Sequence, residues 1–160
     1  MDIYLANKMQ GIPYFNAPWF DESAAKLRAL PGVKDVFNPV EHDRNIGFEP
    51  MSCPTGELEE AYQHGFSLKD ALVADWTWIG TKADCVVLGP DWWNSKGAIS
   101  EAACIQALRK PAFEFDVFLE HYANDDILLR WAIPPIMELG GPVVVAGDGL
   151  TDGHRGVGWV

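Results

Sequence analysis

The fold is decided by residues 84–101, which read DCVVLGPDWWNSKGAISE. Residues 84–88 form a short apolar run behind one aspartate, which is typical of a strand buried on both faces. A glycine and a proline end this run, and residues 89–96 are predicted to form a loop. Residues 98–109 then carry a helical pattern. The segment therefore predicts one strand–loop–helix unit of an α/β protein.

The rest of the chain repeats this alternation of strands and helices. Further strands are predicted at residues 3–6, 33–37, 111–115 and 143–146. Further helices are predicted at residues 21–30, 56–79 (in two pieces broken near Gly65) and 125–139, with Asp21 and Ser67 as N-caps. Residues 40–55 are polar and irregular and are predicted to be a long loop. The alternation predicts a single-domain α/β three-layer sandwich with a mainly parallel five-stranded sheet, Rossmann-like or flavodoxin-like.

A ligand site is expected at one edge of this sheet. In open parallel sheets, ligands bind outside the carboxyl ends of the strands. The loops after the first strand and after the strand at residues 84–88 are therefore the places to look. These loops cover residues 7–16 and 89–97.

Composition and charge restrict the class of protein. The chain has 160 residues and a formal net charge of −11, so it is long enough for one core and unsuited to duplex nucleic acid. It has no apolar run of the roughly 20 residues that a membrane span needs, and no signal-peptide pattern. The three cysteines have no CxxC spacing, and the four histidines are scattered. We expect a cytoplasmic protein with no metal site, in which Cys85 and Cys104 are buried thiols.

The helix start at Ser95, Lys96 and Gly97 has the features of a binding site. Free backbone amides and the positive end of the helix dipole favour an anion or a polar oxygen there. Glu101 lies one turn further on, where the dipole is expected to favour its ionised, nucleophilic form. A carboxylate so placed can attack the anomeric carbon of a sugar. A second acid is then needed near the leaving group, and Asp75 is the candidate.

Less specific interpretations of the same residues stay open. An early helical glutamate such as Glu101 is often a surface residue that suits the dipole. Ser95 is compatible with a plain helix cap, and Asp75 with a solvated acid. Trp92 and Trp93 suit the core, a subunit interface or a wall for base stacking.

The pattern of these residues resembles the nucleoside 2-deoxyribosyltransferase-like superfamily, in particular its small phage and bacterial members. The resemblance covers about residues 3–115 of one domain and leaves residues 116–160 as a C-terminal extension. It rests on short elements in the family's order along the chain. These are Met9-Gln10-Gly11 with Tyr14, Asn38-Pro39, Asp75, Asp84, and Ser95-Lys96-Gly97 through Glu101.

The resemblance implies specific roles for these residues. Glu101 corresponds to the nucleophile that takes the deoxyribosyl group, and Asp75 to the residue that engages the base. Ser95 stands where the nucleoside transferases have an aspartate for the 5′-hydroxyl and where the related 5′-monophosphate N-glycosidases have a serine for phosphate. The remaining substrate-binding candidates lie in the same loop as Ser95 or in the first loop, and they are Lys96, Gly97, Asn7, Met9, Gln10, Gly11 and Tyr14.

Two departures leave the substrate open between a nucleoside and its 5′-monophosphate. The family usually has a glycine where this chain has Asn7, and the monophosphate N-glycosidases have an arginine where it has Gln10. Without that arginine, the site lacks a guanidinium group that could bind phosphate through two parallel hydrogen bonds. The resemblance further implies no metal or organic cofactor, and a homodimer or larger homo-oligomer. The apolar stretch at residues 131–136 suits such an interface.

Several functions are compatible with this sequence. The leading expectation is cleavage of an N-glycosidic bond by a hydrolase, or transfer of the sugar to a second base by a transferase. A non-catalytic nucleotide-binding sensor on the same fold is one alternative. A glutamate-dependent NAD-cleaving domain is another, and a structural interaction protein is a third.

Overall fold

The computed structural model of the chain describes residues 1–122 and 132–134. Within these residues the chain forms four strands and six α-helices. The strands are β1 (Asp2–Ala6), β2 (Asp35–Phe37), β3 (Cys85–Leu88) and β4 (Ala112–Glu114). The helices are α1 (Ala17–Arg28), α2 (Pro39–Asn45), α3 (Leu58–Gln63), α4 (Leu68–Thr81), α5 (Lys96–Ala107) and α6 (Phe115–His121).

All described strands belong to one parallel sheet with the order β2-β1-β3-β4. The α/β class is confirmed, and the topology is consistent with a Rossmann-like fold. The described sheet has four strands rather than the five predicted. The fifth predicted strand, at residues 143–146, lies outside the described residues, as do most of the predicted helix at 125–139 and the C-terminal tail. The strand order reverses between β1 and β3, which is where such sheets open a crevice for ligands.

Helices cover both faces of the sheet, so the fold has three layers. Successive side chains of a strand point to opposite faces. Ile3 and Leu5 of β1 pack in one apolar cluster with α1 and α6. Tyr4 and Ala6 pack in a second cluster with α4 and α5. This alternation places Tyr4 beneath α4 and α5.

Helix α1 begins earlier than the sequence predicts. Its first residue is Ala17, and its N-cap is Asn16 in a left-handed conformation, so the prediction that Asp21 is the cap was wrong. Pro18 occupies the first turn, where the missing backbone N–H costs nothing. Asp21 instead accepts from the guanidinium of Arg44 on α2, at 2.8 Å.

The predicted loop at residues 40–55 is wrong for its first half. Asn38 and Pro39 start helix α2, and the Asn38 side chain accepts from the backbone N–H of Val40 at 3.0 Å. An Asn-Pro pair ends a strand as readily as it caps a helix, because both need an extended residue before proline. A 3-10 turn at Pro50–Ser52 follows. Helix α6, which starts directly after β4, was also not predicted.

The start and break predicted for the middle helices are confirmed. Gly65 has a φ of 82° and separates α3 from α4. The Ser67 side chain caps α4 by accepting from the backbone N–H of Asp70 at 3.3 Å. Ser95 caps α5, which begins at Lys96 rather than at the predicted residue 98. No helix within the described residues is long and apolar enough to cross a membrane.

The loop after β1 is held by a small apolar cluster and by one close backbone contact. Phe15 packs with Phe48 and Cys53 in this cluster. The backbone N–H of Gly11 donates to the carbonyl of Gly56 at 2.9 Å. This contact fixes the loop against the chain that enters α3.

Gly56→Ala is expected to destabilise the fold by about 3 kcal/mol or more, because the added methyl has no room. Gly56 has a φ of 70°, and a Cβ would lie 1.9 Å from the backbone oxygen of Ile12. Gly65→Ala is the matched control, since its φ of 82° is as unusual but its Cβ would meet nothing within 4 Å. That variant should lose only about 1 kcal/mol. Urea unfolding of both variants measures the difference, and equal losses would contradict the close contact.

Candidate functional site

A cavity of about 530 Å³ opens at the carboxyl ends of β1 and β3. It gathers nearly all of the residues that the sequence singles out. Those lining it are Asn7, Met9, Gln10, Gly11, Asp75, Ser95, Lys96, Gly97 and Glu101. Tyr14 is the exception, because it is 36% exposed and its neighbour Phe15 lines the cavity instead. Residues far apart in sequence therefore meet where the sheet topology predicts a ligand.

Glu101 and Asp75 are buried acids on neighbouring helices. Glu101 on α5 is 6% exposed, and Asp75 on α4 is 8% exposed. The hydroxyl of Tyr4 donates a hydrogen bond to Oε1 of Glu101 at 3.1 Å. The two carboxyls thus face one cavity from two helices, with the Tyr4 hydroxyl beneath them.

The electrostatics of Glu101 differ from the sequence-based expectation. Burial, and then the nearby charge of Asp75, raises the pKa of Glu101 to about 8. Burial likewise raises the pKa of Asp75 to about 7. The expectation that the helix dipole keeps Glu101 ionised was wrong, because Glu101 lies beyond the first turn, where the dipole effect fades, and desolvation outweighs it.

The two acids titrate as a pair near neutral pH. When interacting carboxyls lose protons in this way, the steps belong to the pair rather than to either residue. At neutral pH such a pair holds one protonated and one ionised carboxyl for much of the time. One group is then able to donate a proton while the other attacks as a nucleophile.

Tyr4 belongs to the site although the sequence gives it no role there. It is fully buried, and its ring stacks on Phe37 with centroids 5.2 Å apart. Burial and the neighbouring Glu101 and Asp75 raise the pKa of Tyr4 well above its ordinary value, so it stays a neutral donor. A polar-tipped residue inside an apolar strand was the available signal, since a buried tyrosine hydroxyl usually has a partner.

Tyr4→Phe is expected to raise the pKa of Glu101 further. In the wild type, the hydrogen bond from Tyr4 favours the ionised carboxylate. It therefore lowers the pKa of Glu101 and of Asp75, against the effect of burial. Carbon-13 NMR titration of labelled carboxyl groups measures the change. Tyr62→Phe, on the exposed side of α3, is the control and should leave both titrations unchanged. A Glu101 titration that does not move upward in Tyr4→Phe would contradict this hydrogen bond.

A third buried acid, Asp43, was missed by the sequence interpretation. It lies on α2, is 3% exposed and lines the same cavity. Burial, and then the charge of Asp75, raises the pKa of Asp43 to about 7. The sequence predicts a loop for this segment, and a loop gives no helical spacing that would mark Asp43 as buried. On a helix, Pro39, Val40 and Asp43 share the buried side.

The start of α5 presents donors to the cavity. The Ser95 hydroxyl oxygen accepts from the backbone N–H of Ala98 at 3.2 Å, so its own proton is available to a ligand. A Cβ on Gly97 would lie 3.7 Å from Oγ of Ser95 and 4.0 Å from Oε1 of Glu101. Gly97 therefore places its backbone between the cap and the acid, where a ligand can approach closely.

Two cations and one amide complete the rim of the cavity. Lys8 and Lys96 line it, and neither makes an ion pair within residues 1–122 and 132–134. Asn7 is buried at the end of β1, and its Oδ1 accepts from the backbone N–H of Lys8 at 2.8 Å. Gln10 and Gly11 are exposed at the mouth. The exposed carboxylate of Glu57 also lines the cavity, so the rim carries both signs of charge, whereas the deep end is acidic.

The cysteines form no disulfide among the described residues, and Cys104 lies close enough to Glu101 that burial and then the charge of Glu101 raise its pKa. All three cysteines are unpaired thiols; Cys85 is buried as predicted, whereas Cys104 is only partly buried. In the part of the chain that the structure describes, no group of three or more His, Cys, Asp or Glu side chains could hold a metal ion.

Residues 1–113 match the model of a family described as a domain of unknown function, DUF4406. The chain belongs to this family. The match includes every residue that lines the cavity, from Asn7 to Glu101. No curated protein matches the chain significantly, and no solved structure does so either.

Proposed function

We propose that the protein cleaves the N-glycosidic bond of a (deoxy)nucleoside or its 5′-monophosphate, with Glu101 as the nucleophile. One observation carries this proposal: the buried, electrostatically coupled acids Glu101 and Asp75 line the same cavity as the start of α5. An acid pair supplies both a nucleophile and a proton donor. The helix start supplies donors for the 5′ end of the sugar.

The reaction proceeds from the minor form of the pair, with the proton on Asp75 and Glu101 ionised, because the pKa of Glu101, about 8, lies above that of Asp75, about 7. Ionised Glu101 attacks C1′, a bond forms between its oxygen and that carbon, and the C1′–nitrogen bond breaks. The bond electrons leave with the base, which takes a proton from Asp75. Water then attacks C1′ and gives a proton to the ionised Asp75, while the bond from C1′ to Glu101 breaks and frees the carboxylate. A second base attacks in the same way, also giving its proton to Asp75, and completes a transfer. Tyr4 holds the Glu101 carboxylate in place throughout.

The dimensions and charges of the cavity suit a nucleotide. A volume of about 530 Å³ falls within the usual range for small-ligand pockets, about 300–1,000 Å³. Ser95, the Gly97 amide and the rim lysines suit a phosphate, because a hydroxyl donates to it and ammonium groups attract it. These donors favour the 5′-monophosphate over the nucleoside, although an arginine fork is missing.

A base-release panel tests the proposal. The protein is incubated with ribo- and deoxyribonucleosides, their 5′-monophosphates and NAD, and free bases are separated by chromatography. Release of a nucleobase is expected, and adding a second base distinguishes transfer from hydrolysis. Tight binding of a nucleotide with no base release would indicate a non-catalytic nucleotide sensor and contradict the proposed enzymatic activity. Release of nicotinamide alone would identify NAD cleavage instead.

We also propose a flavodoxin-like topology for the whole sheet and a homo-oligomer for the protein. Val73 and Trp76 of α4 are exposed beside the cavity and offer an apolar surface to a second subunit. The apolar stretch at residues 131–136, to which the sequence assigns an interface, lies largely outside the described residues. Analytical ultracentrifugation of the wild type measures the oligomeric state.

A further inference from the structure

Asp43 is a buried acid without a partner. Its side chain is 3% exposed and lines the cavity. Within residues 1–122 and 132–134 it makes no side-chain hydrogen bond and no ion pair. Its carboxylate oxygens are open to the cavity, because the fully enclosed polar atom without a partner among the described residues is Nε1 of Trp92. A ligand in the cavity can therefore reach these oxygens and supply the hydrogen bonds that the protein does not.

Asp75 is the acid that lies close to both Asp43 and Glu101. Helix α4, which carries Asp75, contacts both α2 and α5, which carry Asp43 and Glu101. The charge of Asp75 acts on both of the other acids, whereas Glu101 has no resolved effect on Asp43. If Glu101 faces C1′ and Asp75 faces the bond to the base, Asp43 faces the outer edge of the base.

The ionised form of the Asp43 carboxylate only accepts hydrogen bonds, so this form favours a ligand that brings donors. Asp43 and Asp75 offer acceptor oxygens, and the Tyr4 hydroxyl already donates to Glu101. Nearby lining groups such as Phe66 and Ala71 are apolar. An exocyclic amino group brings two N–H bonds to such a site. A carbonyl oxygen at the same position would face carboxyl oxygens and lose its own hydrogen bonds.

We propose that Asp43 determines base specificity by accepting a hydrogen bond from an exocyclic amino group. This inference rests on the proposed function and narrows its substrates to nucleosides or nucleotides of adenine, cytosine or guanine. Bases with a carbonyl in place of the amino group, such as uracil and hypoxanthine, are poor substrates.

Substrate pairs that differ at this one group test the inference. We compare dCMP with dUMP, and dAMP with dIMP, by kcat/KM for base release. The wild type should prefer the amino-bearing member about 100-fold, which corresponds to about 2.7 kcal/mol and lies within the cost of leaving a buried polar group unpaired. Asp43→Asn keeps the size of the side chain but adds donors, so this preference should fall at least about tenfold. Asp70→Asn, at an exposed site outside the cavity, should keep the wild-type ratio.

Binding measurements separate failure of this inference from failure of the proposed function. Calorimetric titration of the same pairs needs no chemistry, so it reports base preference even if no base is released. A wild type that binds and cleaves both members equally would overturn the role of Asp43. So would an Asp43→Asn variant that keeps the full preference. In a further outcome, the wild type binds the amino-bearing member more tightly but releases no base, while Asp43→Asn loses that preference in binding. This outcome would support the role of Asp43 and overturn the proposed enzymatic activity.

Discussion

Glu101→Gln is expected to lower the rate of base release by at least about 10³-fold, because an amide cannot form the glycosyl ester at C1′. The amide oxygen still accepts the hydrogen bond that Tyr4 donates at 3.1 Å to Oε1 in the wild type. The shape of the cavity should therefore persist. Single-turnover assays with the best substrate from the panel measure the loss.

Two controls make this result specific. Glu59→Gln removes a carboxylate from an exposed position on α3 outside the cavity, and it should keep the wild-type rate. Calorimetric titration should show that Glu101→Gln still binds the substrate, within about tenfold of wild type. The amide of Glu101→Gln cannot form the covalent intermediate. Substantial base release by this variant would therefore show that Glu101 is not the nucleophile.

Much of the scaffold was predictable because its signals are local. The apolar run at β3 needs no distant partner to be recognised as a buried strand. Ser67 and Ser95 each cap a helix through their own neighbours, so the starts of α4 and α5 follow from a few residues. The position of Glu101 relative to Ser95 follows from the helical repeat. The predicted loops follow the carboxyl ends of two parallel strands, so their residues lie at the same edge of the sheet.

The missed parts of the site depend on contacts between distant segments. Asn38-Pro39 fits both a strand end and a helix start, and packing of Val40 into the core settles the choice. That choice decides whether Asp43 lies in a loop or faces the cavity. The role of Tyr4 depends on which face of the sheet it occupies. Neither fact follows from spacing along the chain.

The charge state of the acids was the least predictable property. A pKa depends on how completely a group is removed from water, and sequence spacing carries no such information. At Glu101, burial raises the pKa more than the helix dipole lowers it, and only the dipole can be inferred from the sequence. Charging these three buried acids costs free energy, so their burial lowers the stability of the fold at pH values above their pKa.

The same raised pKa values predict that the free energy of unfolding falls as pH rises. The pKa of Asp43 and Asp75 is raised from 3.8 to about 7, and that of Glu101 from 4.5 to about 8. The folded state therefore holds these protons more tightly than the unfolded chain does. Their favourable contribution is fully present below about pH 4 and is lost as pH rises through 7 to 8. One pKa unit corresponds to about 1.4 kcal/mol. We expect the three acids together to lose roughly 3–6 kcal/mol of stability between pH 5 and pH 8.5, which is less than three independent titrations would give because their charges interact.

Urea unfolding at both pH values measures this loss, and variants assign it. The double variant Asp43→Asn with Glu101→Gln replaces two of the acids by neutral groups of equal size. Its stability should exceed that of the wild type at pH 8.5, and its pH dependence should be less than half as steep. Glu59→Gln should keep the wild-type slope, because an exposed carboxylate is already ionised across this range. A wild-type stability that stays flat from pH 5 to pH 8.5 would contradict the burial of these acids, because charging them in a dry site costs free energy whatever the protein binds.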